Sequence, residues 1–165
     1  MLYYRSTKDS AGRRPMTMKM LRLLATAPLA AYPAGCVILL NAPADNLLAQ
    51  LIGFAFILIA LLGAALVLPS WIQRIAGEEK DKLDEFELDQ RRRAYSAAYH
   101  AFTALTLIFV AYLGVVSDAQ EKIAWLWTPS TFDHWNAVFW GVFLFASLLP
   151  SAWLAWTIAP PVEEE

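Results

Sequence analysis

Few side chains in this sequence can do chemistry, and their spacing limits what chemistry is open to them. His100 and His134 are the candidate haem or pigment ligands. Neither has a second histidine three or four residues away, so no helix face offers a ligand pair. In the topology developed below they fall near opposite membrane surfaces, about 30 Å apart, too far to share one haem iron. A single-ligand site is left open at either. Asp133 and His134, joined by Asp118, are the candidate metal set. Oxygen-rich groups of this kind bind divalent cations or relay protons, but the same residues also serve as ordinary loop polarity and helix caps. Cys36 is the one cysteine, which excludes an internal disulfide and any cysteine cluster. Within an apolar run it reads as a small packed side chain rather than a nucleophile. The sequence has no H-E-x-x-H, G-x-S-x-G, glycine-rich phosphate loop or C-x-x-C. Neither an enzyme nor a resident cofactor is therefore expected.

The elements that carry these residues are set by composition. Of 165 residues, 58% are hydrophobic and 17% charged, with mean hydropathy +0.43. Soluble domains average about 45–50% apolar and about 25% charged, so the chain reads as an integral membrane protein. Its net charge of −2 offers nothing to nucleic acid. Seven tryptophans and six tyrosines suit rings placed at membrane interfaces.

The fold expected is all-α: four transmembrane helices as two hairpins, with a charged cytoplasmic helix extending the third. A basic tail over 1–20 precedes the membrane domain, 21–158, and an acidic tail over 159–165 follows it. The spans fall at about 21–40, 47–72, 97–116 and 136–158. About twenty helical residues cross the hydrocarbon core. Met16, Met18 and Met20 are alternative starts. The first run competes with two other readings, a lipoprotein signal ending Ala34-Gly35-Cys36 and a twin-arginine signal at Arg13-Arg14. Because the apolar run continues through Val37-Ile38-Leu39-Leu40, a retained span is favoured. Pro28 and Pro33 are expected to kink it or break it locally. Ala60 and Ala64, Ala97 and Ala101, and Ala137 and Gly141 are spaced four apart and are the expected helix-packing positions. Ile123 to Trp127 suits a short interfacial helix.

The stretch between spans two and three holds most of the internal charge. A water-exposed helix is expected over about 80–96, with Asp81 as its cap and Glu87–Arg91 and Asp89–Arg93 as i,i+4 pairs. Leu83 and Phe86 make a narrow apolar face, and Arg91, Arg92 and Arg93 stand where the membrane begins. These five are the expected partner or lipid contacts, since cations here attract anionic headgroups at about 1 kcal/mol each. Basic residues also set orientation. Arg5, Lys8, Arg13, Arg14, Lys19 and Arg22 flank the first span, and Arg74, Lys80, Lys82 and Arg91 to Arg93 lie in the central segment. The two intervening turns hold only Lys122. Both termini and the central segment are therefore expected in the cytoplasm.

The run Leu83-Asp84-Glu85-Phe86-Glu87-Leu88-Asp89-Gln90-Arg91-Arg92-Arg93-Ala94-Tyr95, followed by Tyr99, resembles the charged juxtamembrane motif of small bacterial inner-membrane proteins of uncharacterised function. The resemblance covers about 20 residues around acid-first helices of a common kind. It implies a bacterial inner membrane and carries no activity. The role expected is structural, accessory or assembly, with membrane lipid and a protein partner or a second copy as contacts. A small oligomeric transporter or channel is the first alternative, and a haem- or pigment-binding subunit the second. No Asp, Glu or Lys lies at mid-depth in the four runs, which argues against a proton-coupled pump.

Overall fold

The computed structural model describes residues 16–43, 45–119 and 127–158. Most of the basic tail, the acidic tail and the expected interfacial helix before Trp127 lie outside the described residues. All regular elements described are helical: α1 (Met18–Asn41), α2 (Leu47–Val67), α3 (Trp71–Gly77), a 3₁₀ turn (Lys80–Lys82), α4 (Glu85–Ala119) and α5 (Phe132–Thr157). α1, α2, α4 and α5 are long and apolar enough to cross a membrane, which marks a multi-pass membrane protein.

The boundaries follow local chemistry. The hydroxyl of Thr17 accepts from the Met20 amide and caps α1. Pro28 and Pro33 both sit inside α1, which remains helical throughout. Asn46 caps α2 by accepting from the Ala49 amide. The second span, expected to run to Ile72, ends as a helix at Val67. Pro69 has no amide to continue the ladder, and Ser70 starts α3 by accepting from the Gln73 amide.

The charged segment also starts later than expected. Asp81 falls in the 3₁₀ turn, and Asp84 is the cap of α4. Its carboxylate accepts from the Glu87 amide at 2.7 Å, while the Glu87 carboxylate accepts from the Asp84 amide at 3.4 Å. This reciprocal pair satisfies two free donors at once, which Asp81 has no partner to do. From there α4 runs unbroken for 35 residues, about 52 Å at 1.5 Å per residue. α5 begins at Phe132, capped by Thr131, whose hydroxyl accepts from the His134 amide. The fourth helix therefore starts one turn before the expected 136.

α1 packs closely along α2, with glycines where side chains or backbone of the facing helix approach. A Cβ on Gly35 would lie 2.9 Å from the Gly53 carbonyl oxygen, and one on Gly63 would lie 2.8 Å from Pro28 Cγ. Ala60, expected at a packing face, is fully buried. Ala64 is half-buried, and Gly63 beside it makes the close approach. Tyr32 of α1 reaches α5, where its hydroxyl donates to the Ala137 carbonyl at 3.0 Å, and a Cβ on Gly141 would lie 3.3 Å from its ring. Ala137 and Gly141 thus do face another helix. Interhelical hydrogen bonds in membranes contribute about 0.6 kcal/mol on average and about 1.7 at most. Tyr32→Phe is accordingly expected to lower the unfolding midpoint in mild detergent slightly, with the fold retained. An unchanged midpoint would mean that the bond contributes nothing.

The largest core cluster gathers at one end of the bundle. Leu21 and Ala25 of α1, Val67 of α2, Ile72 and Ile75 of α3, Ala94 of α4, Ala152, Leu154 and Ala155 of α5 and Ile158 just after it meet there. The start of α1, the end of α2, the start of α4 and the end of α5 therefore share one end with the charged segment.

Candidate functional site

The shared end is also where polar side chains from separate elements meet. Arg74 on α3 pairs with Glu78 at 3.4 Å and with Glu87 on α4. Arg91 donates to the Glu78 carbonyl at 2.5 Å and lies over the Tyr95 ring, 5.7 Å from its centre. The Tyr95 hydroxyl donates to the Ala76 carbonyl at 3.0 Å. Each contact draws α3 and the loop after it onto the first turns of α4. Tyr95 and Arg91 also cover carbonyls at the end of α3 that have no partner within that helix. On the other side of α3, fully buried Ser151 of α5 donates to the Gln73 side-chain oxygen.

Arg22 closes the arrangement. Its Nε donates to the Ala155 carbonyl in the last turn of α5 at 3.0 Å, and its guanidinium lies over the Trp156 ring, 5.1 Å from the centre. A cation at a helix C-terminus meets the negative end of the helix dipole, and the ring contact adds about 0.5–2 kcal/mol. Arg22→Ala is therefore expected to cost about 1–2 kcal/mol and to shift the tryptophan emission as Trp156 loses its cover. Wild-type emission and midpoint in the variant would show the contact to be without weight.

Several expected site residues are placed differently. Leu83 is only 8% exposed, so it serves the internal packing rather than an outer contact. Arg91 is committed to Glu78 and Tyr95. Glu87, expected to pair with Arg91, pairs with Arg74 instead, because the turn before α4 brings α3 alongside. Asp89 and Arg93 do pair, at 2.9 Å, with both side chains more than half exposed, a geometry usually contributing no more than about 1 kcal/mol. Phe86, Arg92 and Arg93 remain outward. Of the expected packing positions on α4, Ala97 is half-buried and Ala101 exposed; beside them Ala94 and Ala98 are buried and Ala104 is exposed. α4 is buried again at Val116, and the Tyr112 hydroxyl donates to the Trp127 carbonyl at 2.7 Å, so Ala101 and Ala104 lie on an exposed stretch between two covered ends.

His100 and His134 are not brought together. His100 Nδ1 donates to the Ser96 carbonyl at 2.6 Å, on an exposed part of α4. His134 Nδ1 accepts from the Ser130 amide at 3.1 Å, and its ring lies 5.6 Å from that of Trp127. Asp133 is exposed in the first turn of α5, and the side chain of Asp118 lies outside the described part. Among the described residues no group of three or more His, Cys, Asp or Glu could hold a metal ion.

Sequence reasoning missed Arg22, Gln73, Tyr95 and Ser151 as contacts. Arg22 was legible as a lone cation inside an apolar run, but its partner lies 133 positions away. Comparison with protein-family models, with curated proteins and with solved structures gives no match.

Proposed function

We propose that this chain is a non-enzymatic accessory or assembly subunit of a bacterial inner membrane, with its charged segment and both termini in the cytoplasm. It acts by docking the open face of α4 on a second transmembrane helix, from a partner protein or another copy. The observation that carries this reading is the unequal burial of the four long helices. In the most apolar part of α4 only 6% of residues are buried against the rest of the chain, compared with 22–28% in the other three. Ala101 and Ala104 lie on that open part, and small residues let helix backbones approach closely in lipid. The outward Phe86, Arg92 and Arg93 extend the same helix into water, where anionic lipid headgroups or a partner can meet them.

The test is association in mild detergent or nanodiscs, measured by light scattering and by co-purification from the native membrane. Ala101→Trp and Ala104→Trp, singly, are expected to shift the particle to lower mass while leaving the unfolding midpoint within about 0.5 kcal/mol of wild type, as for exposed positions elsewhere. If wild type is a lone monomer in both preparations, or if the tryptophan variants keep the wild-type mass, the docking role of α4 is wrong.

A further inference from the structure

An open groove of about 530 Å³ runs between α1, α2 and α5, at the end of the bundle away from the charged segment. Its volume falls in the range of about 300–1,000 Å³ that holds one small ligand. The wall is apolar along Leu39, Phe54 and Ile57, with Cys36 beside them, and Asp133 and Asn136 stand at its rim. Among the described residues no lysine or arginine lines it. The sequence around this end is short of cations too. Residues 23–73 contain no Lys or Arg, and residues 94–158 contain only Lys122.

We propose that the groove binds a single-chain amphiphile with an organic cation as its head, the alkyl chain along Leu39, Phe54 and Ile57 and the head at Asp133 and Asn136. Charge complementarity selects this occupant. A carboxylate at the mouth of an apolar slot favours a cation, and the slot offers the chain an apolar wall over its length. A phospholipid fits poorly. Its phosphate would meet Asp133 with no cation among the described lining residues to hold it. This site lies on a different part of the molecule from the open face of α4, so it stands or falls separately from the docking role.

Cys36 supplies the readout, because it is the chain's one thiol and lines the groove. Full-length protein in phospholipid nanodiscs is labelled with N-ethylmaleimide in the presence of dodecyltrimethylammonium, dodecyl maltoside or dodecanoate, each below its micelle concentration. Tetramethylammonium serves as a head without a chain. The cationic amphiphile is expected to slow labelling about fivefold at roughly four times its dissociation constant, since protection rises as one plus the ratio of ligand to that constant. The neutral and anionic chains and the bare head are expected to change the rate little. Asp133→Asn is expected to remove the advantage of the cation while leaving the ligand-free rate as in wild type. If Cys36 resists the reagent, the same ligands are ranked by the shift in unfolding midpoint, and the same order is required. Equal protection by all three chains, unchanged protection in Asp133→Asn, or no effect of the cationic amphiphile in either readout would overturn the proposal.

Discussion

Gly35→Leu is expected to force α1 from α2 and to produce the largest stability loss of any single substitution in the chain. The cause is geometric. A Cβ at Gly35 would lie 2.8 Å from Ile57 Cγ1, 2.9 Å from the Gly53 carbonyl oxygen and 3.1 Å from the Ile57 amide nitrogen. A side-chain tip can rotate away, but two of these three atoms belong to the backbone of α2. The helices must separate, and the buried contacts of Ala60 and Gly63 further along the same seam loosen with them. Overpacking a tight interior costs about 1–3 kcal/mol, occasionally more. At roughly 2–4 °C per kcal/mol for a chain of this size, the midpoint should fall by roughly 2–12 °C. Gly114→Leu is the control, because a Cβ there meets nothing within 4 Å among the described residues, and it should be tolerated. A Gly35→Leu protein with the wild-type midpoint would mean that α1 and α2 do not pack as described.

Replacing Arg91, Arg92 and Arg93 together by glutamate is expected to have the largest effect on insertion. The three arginines supply half of the basic residues between Arg74 and Arg93. Positive charge in short loops holds a segment in the cytoplasm, and acidic residues have little opposite effect. At about 1 kcal/mol for each cation at an anionic surface, the triple change removes about 3 kcal/mol of orienting preference, roughly a hundredfold in population. Part of the damage would be to the fold, since Arg91 holds the loop after α3 and lies over Tyr95. Arg91→Gln separates the two. It should lower stability without changing topology, whereas the triple variant should lose the wild-type topology. If the triple variant inserts as wild type and keeps the same associates, these arginines neither orient the chain nor contact a partner.

The long helices were legible because an apolar run of twenty or more residues has few alternatives to a span. Their ends were less so. Each end depends on which of several polar side chains reaches a free amide, and Asp84 does so with Glu87 while Asp81 does not. α3 straddles the expected end of the second span at Ile72, with Gln73 to Gly77 in the segment expected to lead into the charged helix. Only Pro69 and Ser70 mark the break, and their effect depends on α3 finding α5 to bury Ile72 and Ile75. Small-residue spacing identified where close approach is possible. Ala60 is buried where α1 lies opposite, whereas Ala101 is exposed among the described residues. Spacing along one helix carries no information about which helix lies beside it. The contacts made by Arg22 and Tyr32 were illegible for the same reason, with partners 133 and 105 positions away.

Residues 74–93 are expected to stay in cytoplasmic water while α2 and α4 cross the membrane on either side of them. Reporter fusions at Asp45, at Lys82 and at Thr128 measure this most directly, using alkaline phosphatase for outside positions and a green fluorescent protein for inside ones. The Lys82 fusion should fluoresce and lack phosphatase activity, and the Asp45 and Thr128 fusions should do the opposite. Lys82 and Thr128 reporting from the same compartment would contradict the topology and, with it, the proposed role of the charged segment.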